Sequence, residues 1–167
     1  LDFTEFGNQK LIVIGNFPYN ISSQILFKIL EAKELVVELV GMFQKEVALR
    51  VSQQPGNKQY GILSVLIQAY FDVEYLFTVD EHVFDPPPKV KSGVIRIKRN
   101  TTNKLSCDEK LFKRIVKTAF NQRRKMIRNS LKIFLNDKKT NHPLFTMRPE
   151  QLAVQDFIEL TNILESP

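Results

Sequence analysis

The period of the apolar residues changes along the chain, and each change marks a different kind of element. Ile12-Val13-Ile14 is a continuous β-branched run that stops at Gly15-Asn16 and turns through Pro18. This pattern predicts a buried strand that delivers a polar and an aromatic residue to its carboxyl end, where ligands bind in open α/β sheets. Ile25, Leu26, Ile29 and Leu30 follow at helical spacing, with Ser22 or Ser23 placed to cap the helix. Positions 35–43 form a second mostly apolar run, interrupted by Glu38 and Gly41, so the two runs and the helix between them predict a βαβ unit with parallel, neighbouring strands. Gln44-Lys45-Glu46-Val47-Ala48 opens a short helix, 53–58 reads as an exposed loop, and Ile62, Leu63, Leu66, Ile67 and Tyr70 mark another helix.

From Asp72 the period drops to two. Val73, Tyr75, Phe77 and Val79 alternate with more polar residues, as Ile95 and Ile97 do with Arg96 and Lys98, which predicts two antiparallel neighbours. Between them three prolines, Pro86 to Pro88, stiffen the backbone and present Phe84 at a fixed angle. From Asp108 the helical period returns, first through Leu111, Phe112, Ile115, Val116, Ala119 and Phe120, then through Ile127, Leu131 and Phe134. Pro149 opens a last segment carrying Phe157, Leu160, Thr161 and Leu164 on one side. The expected organisation is an α/β domain over 1–99, a linker over 100–106 and a helical domain over 107–167.

With 167 residues and 43% hydrophobic content, the chain is long enough for one core and a small satellite. No apolar run reaches the length of a membrane span, no signal-peptide pattern opens the sequence, and the single Cys107 forbids an internal disulfide; the expected compartment is the cytoplasm. Leu1 stands where a Met would open a complete chain, and a strand follows almost at once, so a piece of a longer protein is expected. His82 and His142 lie far apart, without Cys or carboxylate partners at ligand spacing, so no metal site is expected.

Charge sharpens the picture. The net charge is +6, yet eleven Lys and Arg fall between Lys110 and Lys139 against Asp137 alone. A surplus so one-sided lacks the interspersed carboxylates of an ordinary solvated face and points to a polyanion. At the other end of the chain, the Asn16 side chain and the Phe17 carbonyl offer two acceptors beside the flat face of Tyr19, with Pro18 holding the turn open. That set suits an exocyclic aryl amine whose two N–H groups are held while its lone pair attacks an electrophilic methyl, with no side-chain base. An ordinary Asn/Pro turn at a strand end is the alternative that the tetrapeptide alone leaves open.

Several segments occur in one order: Asn16-Phe17-Pro18-Tyr19-Asn20-Ile21-Ser22, Gln44-Lys45-Glu46-Val47-Ala48, Gly61-Ile62-Leu63-Ser64-Val65, Phe84-Asp85-Pro86-Pro87-Pro88-Lys89-Val90-Lys91-Ser92 and Phe120-Asn121-Gln122-Arg123-Arg124-Lys125. Together they resemble the small-subunit ribosomal RNA adenine N6,N6-dimethyltransferase family from about Ile12 to the C-terminus. The resemblance implies the C-terminal half of a Rossmann-like, S-adenosylmethionine-dependent methyltransferase sheet, followed by a small all-α domain. It further implies dimethylation of the N6 amines of two adjacent adenosines in small-subunit rRNA, within a pre-30S-type particle and as part of ribosome biogenesis. On this chain Asn16, Phe17 and Pro18 would hold the amine, and Tyr19 and Phe84 would sandwich the flipped base. Arg123, Arg124, Lys125, Arg128 and Lys132 would hold RNA phosphates.

The departure from the family is at the front. Asn16 is the one cofactor-touching residue expected here; the glycine-rich turn and the ribose-gripping acidic residue are expected upstream of Leu1, so the fragment should be inactive alone. Its first strand, 11–14, should form an exposed edge and favour self-association. Competing readings are a non-catalytic RNA-binding or ribosome-assembly module and a related large-subunit rRNA adenine methyltransferase.

Overall fold

A computed structural model of the chain describes residues 3–135 and 141–165. The alternating and continuous apolar runs form a four-stranded sheet in the order β1-β2-β4-β3, where β1 is Leu11–Asn16, β2 Val36–Gln44, β3 Phe71–Val79 and β4 Ser92–Arg99. The β1 and β2 strands are parallel, joined through helix α1 (Ser22–Glu31), whereas β4 runs antiparallel to both β2 and β3. This is the pairing expected from the change in period.

Register separates the two faces. Leu39 and Phe43 of β2 and Ile95 and Ile97 of β4 are fully buried on one face, which helix α2 (Lys45–Ser52) helps to cover. Ile14, Val40, Arg96 and Glu74 form one row across the other face. There Arg96 donates to Glu38 at 2.7 Å, and that hydrogen bond holds the Glu38 carboxyl below its usual pKa. The expectation of a buried first strand is corrected here, while that of an exposed edge agrees with the strand order. β1 is an edge strand whose Ile12 and Ile14 are 63% and 77% exposed, because among the described residues β2 alone pairs with it.

The chain divides into two compact units. The sheet unit comprises Leu1–Ser52 and Tyr70–Thr102, and the helical unit comprises Gln53–Ala69 and Asn103–Pro167. This grouping places 53–69 with the later helices, whereas the sequence reading takes 1–99 as one domain. Helix α3 (Ile62–Gln68) packs with α4 (Glu109–Asn121) and α6 (Val154–Glu165). Its local frame is tied to the later helices too: Gly56 N donates to the Glu150 carbonyl at 2.7 Å, and Tyr60 meets Phe120 edge-on at 6.1 Å. A four-residue helix α5 (Ile127–Ser130) and short 3-10 turns complete this unit. Among the described residues, no helix is long and apolar enough to cross a membrane.

Candidate active site

The four residues at the end of β1 are positioned by a slot in the sheet. The parallel ladder continues one step past the strand, with Phe17 N donating to the Met42 carbonyl at 3.1 Å. The Phe17 ring then turns back over the sheet and stacks on Phe43, centroids 4.9 Å apart and planes 20° from parallel. Only glycine leaves room for it: a Cβ at Gly41 would lie 2.5 Å from Phe17 Cε2, and one at Gly15 would lie 3.1 Å from Cζ. Phe17 is thus a core side chain.

Other carbonyls of the turn are occupied. Pro18 O accepts from Ile21 N at 3.3 Å and from Ser22 Oγ at 3.3 Å, and Tyr19 O accepts Ser22 Oγ at 3.1 Å. Ser22 was expected as a helix cap; it is instead the first residue of α1, and its buried hydroxyl ties the turn back on itself. The Phe17 carbonyl and the exposed Asn16 side chain make no hydrogen bond among the described residues. Two adjacent acceptors are therefore free at the carboxyl end of a parallel strand.

Tyr19 is half-buried, and its hydroxyl hydrogen-bonds the hydroxyl of Ser92, a fully buried residue at the start of β4. Sequence reasoning assigned Ser92 no role, although it closes the Phe84 to Ser92 segment that carries the family resemblance. Phe84 lies half-buried in the loop between β3 and β4, which closes where Lys91 Nζ meets Asp80 Oδ2 at 2.9 Å. That bond lowers the Asp80 pKa and raises that of Lys91. Asp80 also accepts from His82 N at 3.2 Å, and Lys45 N of α2 donates to the Lys91 carbonyl at 2.9 Å. Ser92, where Tyr19 is held, is the next residue after this closure, so the loop carrying Phe84 ends at the point that anchors Tyr19.

Contrary to the sequence expectation, His82 does have carboxylate neighbours, since ligating atoms of Asp80, Glu81 and His82 lie within 4.8 Å of one another. The contacts of Asp80 with Lys91 and His82 N assign this cluster to loop closure. Cys107 is half-buried, and burial followed by the charge of Glu165 pushes its thiol pKa up, which disfavours the thiolate a nucleophile needs.

Within the helical unit, the basic residues divide by role. Arg123 Nη2 donates to the Asn57 carbonyl at 3.2 Å, and its Nε lies 3.9 Å from Glu150, so this arginine joins two loops of its own unit. Arg124, Lys125, Arg128 and Lys132 are exposed and form no ion pair among the described residues. Arg114 of α4 stacks its guanidinium over Phe134, 5.4 Å from the ring centroid.

Comparison with known proteins gives the family of the chain. The chain is 60% identical over 162 residues to "Ribosomal RNA small subunit methyltransferase A" of Bacteroides thetaiotaomicron, covering 96% of this chain and 61% of that protein. The protein of the same name from Cytophaga hutchinsonii is 58% identical over 164 residues, covering 98% of this chain and 64% of its own length. The chain thus spans about three fifths of the length of these relatives. Among solved structures, a dimethyladenosine transferase from Plasmodium falciparum superposes with a TM-score of 0.75 at 23% identity, covering 89% of this chain and 64% of that one. The 23S rRNA methyltransferase ErmE gives 0.65, also at 23% identity, covering 92% and 66%; these two likenesses establish the α/β methyltransferase fold. The family model described as ribosomal RNA adenine dimethylase matches residues 3–166, and the chain belongs to that family.

Proposed function

We propose that this chain forms the amine-holding part of an S-adenosylmethionine-dependent enzyme that dimethylates the N6 amines of two adjacent adenosines in small-subunit rRNA. The observation that carries the reading is the pair of unengaged acceptors, Asn16 Oδ1 and the Phe17 carbonyl, beside an anchored Tyr19. One N–H of the adenine amine is donated to each acceptor, which leaves the nitrogen lone pair directed away from both. Tyr19 stacks on one face of the flipped base, and Phe84 covers the other. The free amide of Asn16 at the carboxyl end of a parallel strand also suits a contact with the cofactor, which supplies an electrophilic methyl group.

With the cofactor bound, the methyl group would leave its sulfonium sulfur, which keeps the bonding pair as a thioether, as the N6–C bond forms; the proton then shed by nitrogen would leave along the hydrogen bond to Asn16 or to the Phe17 carbonyl and pass to water. No side-chain base is required, because the two acceptors stabilise positive charge developing on nitrogen. Arg124, Lys125, Arg128 and Lys132 hold phosphates of the ribosomal subunit, a task that supplies affinity without reading the base. A ribosomal substrate supports the reading of a cytoplasmic site of action.

The test uses a protein of the relatives' full length that carries this chain. Single-turnover methylation of small-subunit RNA, with mono- and dimethyl products resolved by mass spectrometry, should show a slower chemical step for Asn16→Ala at near-normal RNA affinity. Wild-type rates from Asn16→Ala would remove the amine clamp and leave an RNA-binding module.

A further inference from the structure

We propose that Ser92 is a positioning residue for the base-stacking face of Tyr19. This inference rests on the base-holding reading of Tyr19 given above. Ser92 belongs to a strand paired on both sides: it lies opposite Gln44 of β2 and opposite Val79 of β3. Its side chain is fully buried, so its hydroxyl is fixed in space and requires a partner. The partner is the Tyr19 hydroxyl. Tyr19, by contrast, sits on a short turn following an edge strand, where an unanchored ring would sample more than one rotamer.

Anchoring the ring at its far end leaves the two faces of the phenol unchanged and removes the freedom that stacking would otherwise have to quench. A purine then meets a platform already oriented, which is the way preorganisation raises affinity without a new contact. The same residue ends the loop that carries Phe84, closed by Lys91 and Asp80 and held to α2 through Lys45 N. Ser92 therefore gives both aromatic residues a shared reference point in the sheet.

The experiment uses a hairpin RNA with 2-aminopurine at the target adenine. Quenching of its fluorescence reports stacking, and anisotropy of a terminal dye on the same RNA reports overall affinity. Ser92→Ala and Tyr19→Phe each remove the hydroxyl pair while keeping the ring, and each should weaken the stacking equilibrium by about two- to tenfold at unchanged RNA affinity. The double variant should be no weaker than either single one, because both break the same bond. Thermal melting identifies any loss of fold in Ser92→Ala; Tyr19→Phe leaves the buried serine in place and gives the answer in that event. Wild-type quenching from Tyr19→Phe, or additive losses in the double variant, would overturn the proposal while a quenching loss in Tyr19→Ala keeps Tyr19 as the platform. Unchanged quenching in Tyr19→Ala would overturn the base-holding reading and this inference together.

Discussion

Gly41→Ala should displace Phe17 and, with it, one of the two proposed amine acceptors. The added Cβ would stand 2.5 Å from Phe17 Cε2, 2.8 Å from its Cδ2 and 2.9 Å from Phe43 Cε2. The backbone at Gly41 cannot retreat, because β2 is bonded to β1 on one side and to β4 on the other, with Gly41 opposite both Gly15 and Ile95. Phe17 must therefore move, carrying its carbonyl away from Asn16. Overpacking of this kind costs about 1–3 kcal/mol, offset by about 0.5–1 kcal/mol from the lower unfolded-state entropy of alanine. The net loss, at most about 2.5 kcal/mol and about 1 kcal/mol at mid-range, shifts the urea midpoint down by roughly 0.5 M at mid-range for a typical slope. The chain has no Trp, so far-UV circular dichroism is the suitable probe. Gly15→Ala, facing only the ring tip at 3.1–3.2 Å, should cost less. Shortening the ring in Phe17→Leu/Gly41→Ala should recover part of the loss, giving a double variant more stable than the sum of its singles. Unchanged or increased stability in Gly41→Ala would refute the slot argument.

Four further predictions concern other parts of the molecule. Tyr60 is fully buried, its hydroxyl has no partner among the described residues, and burial followed by the charge of Asp156 raises its pKa. A raised folded-state pKa stabilises below the unfolded value near 10 and loses that stability as pH rises beyond it, so alkaline urea titrations should show a decline that Tyr60→Phe removes without loss at neutral pH. Arg123→Ala should lower the melting temperature of the helical unit. Replacing Lys125, Arg128 and Lys132 with Glu should leave melting nearly unchanged and reduce the salt dependence of RNA binding by about 0.7–0.9 per lost phosphate contact, as read by binding titrations across a salt series. The β1 edge, with Ile12 and Ile14 exposed, should drive concentration-dependent association that Ile14→Lys suppresses in sedimentation velocity; equal association of both forms would place the contact elsewhere.

Strand pairing is legible in the sequence because period-two and continuous apolar runs carry it directly, and the Asn16 to Tyr19 turn is legible because its proline and polar residues interrupt such a run. Membership of the helical unit is not. Leu63 to Ile67 are buried without interruption, so no polar stripe indicates which neighbours surround the helix. The structural role of Arg123 is hidden for a similar reason, since its partners Asn57 and Glu150 stand far away in sequence on both sides. Ser92 is a small hydroxyl residue in a strand, and only the fold brings the Tyr19 hydroxyl to it.

The chain passes between its two units three times, after Ser52, after Ala69 and after Thr102. As the protein emerges from the ribosome, the apolar helix α3 is therefore made well before α4 and α6, and it must wait unsheltered while β3 and β4 are completed. The same threading bears on modular inheritance. A single recombination point at the third boundary would transfer α4 to α6 without α3, leaving both the donated and the retained part with unfilled cores. Exchange of the helical unit between related enzymes requires three coordinated crossovers, so the sheet and the helices should share one evolutionary history along the chain.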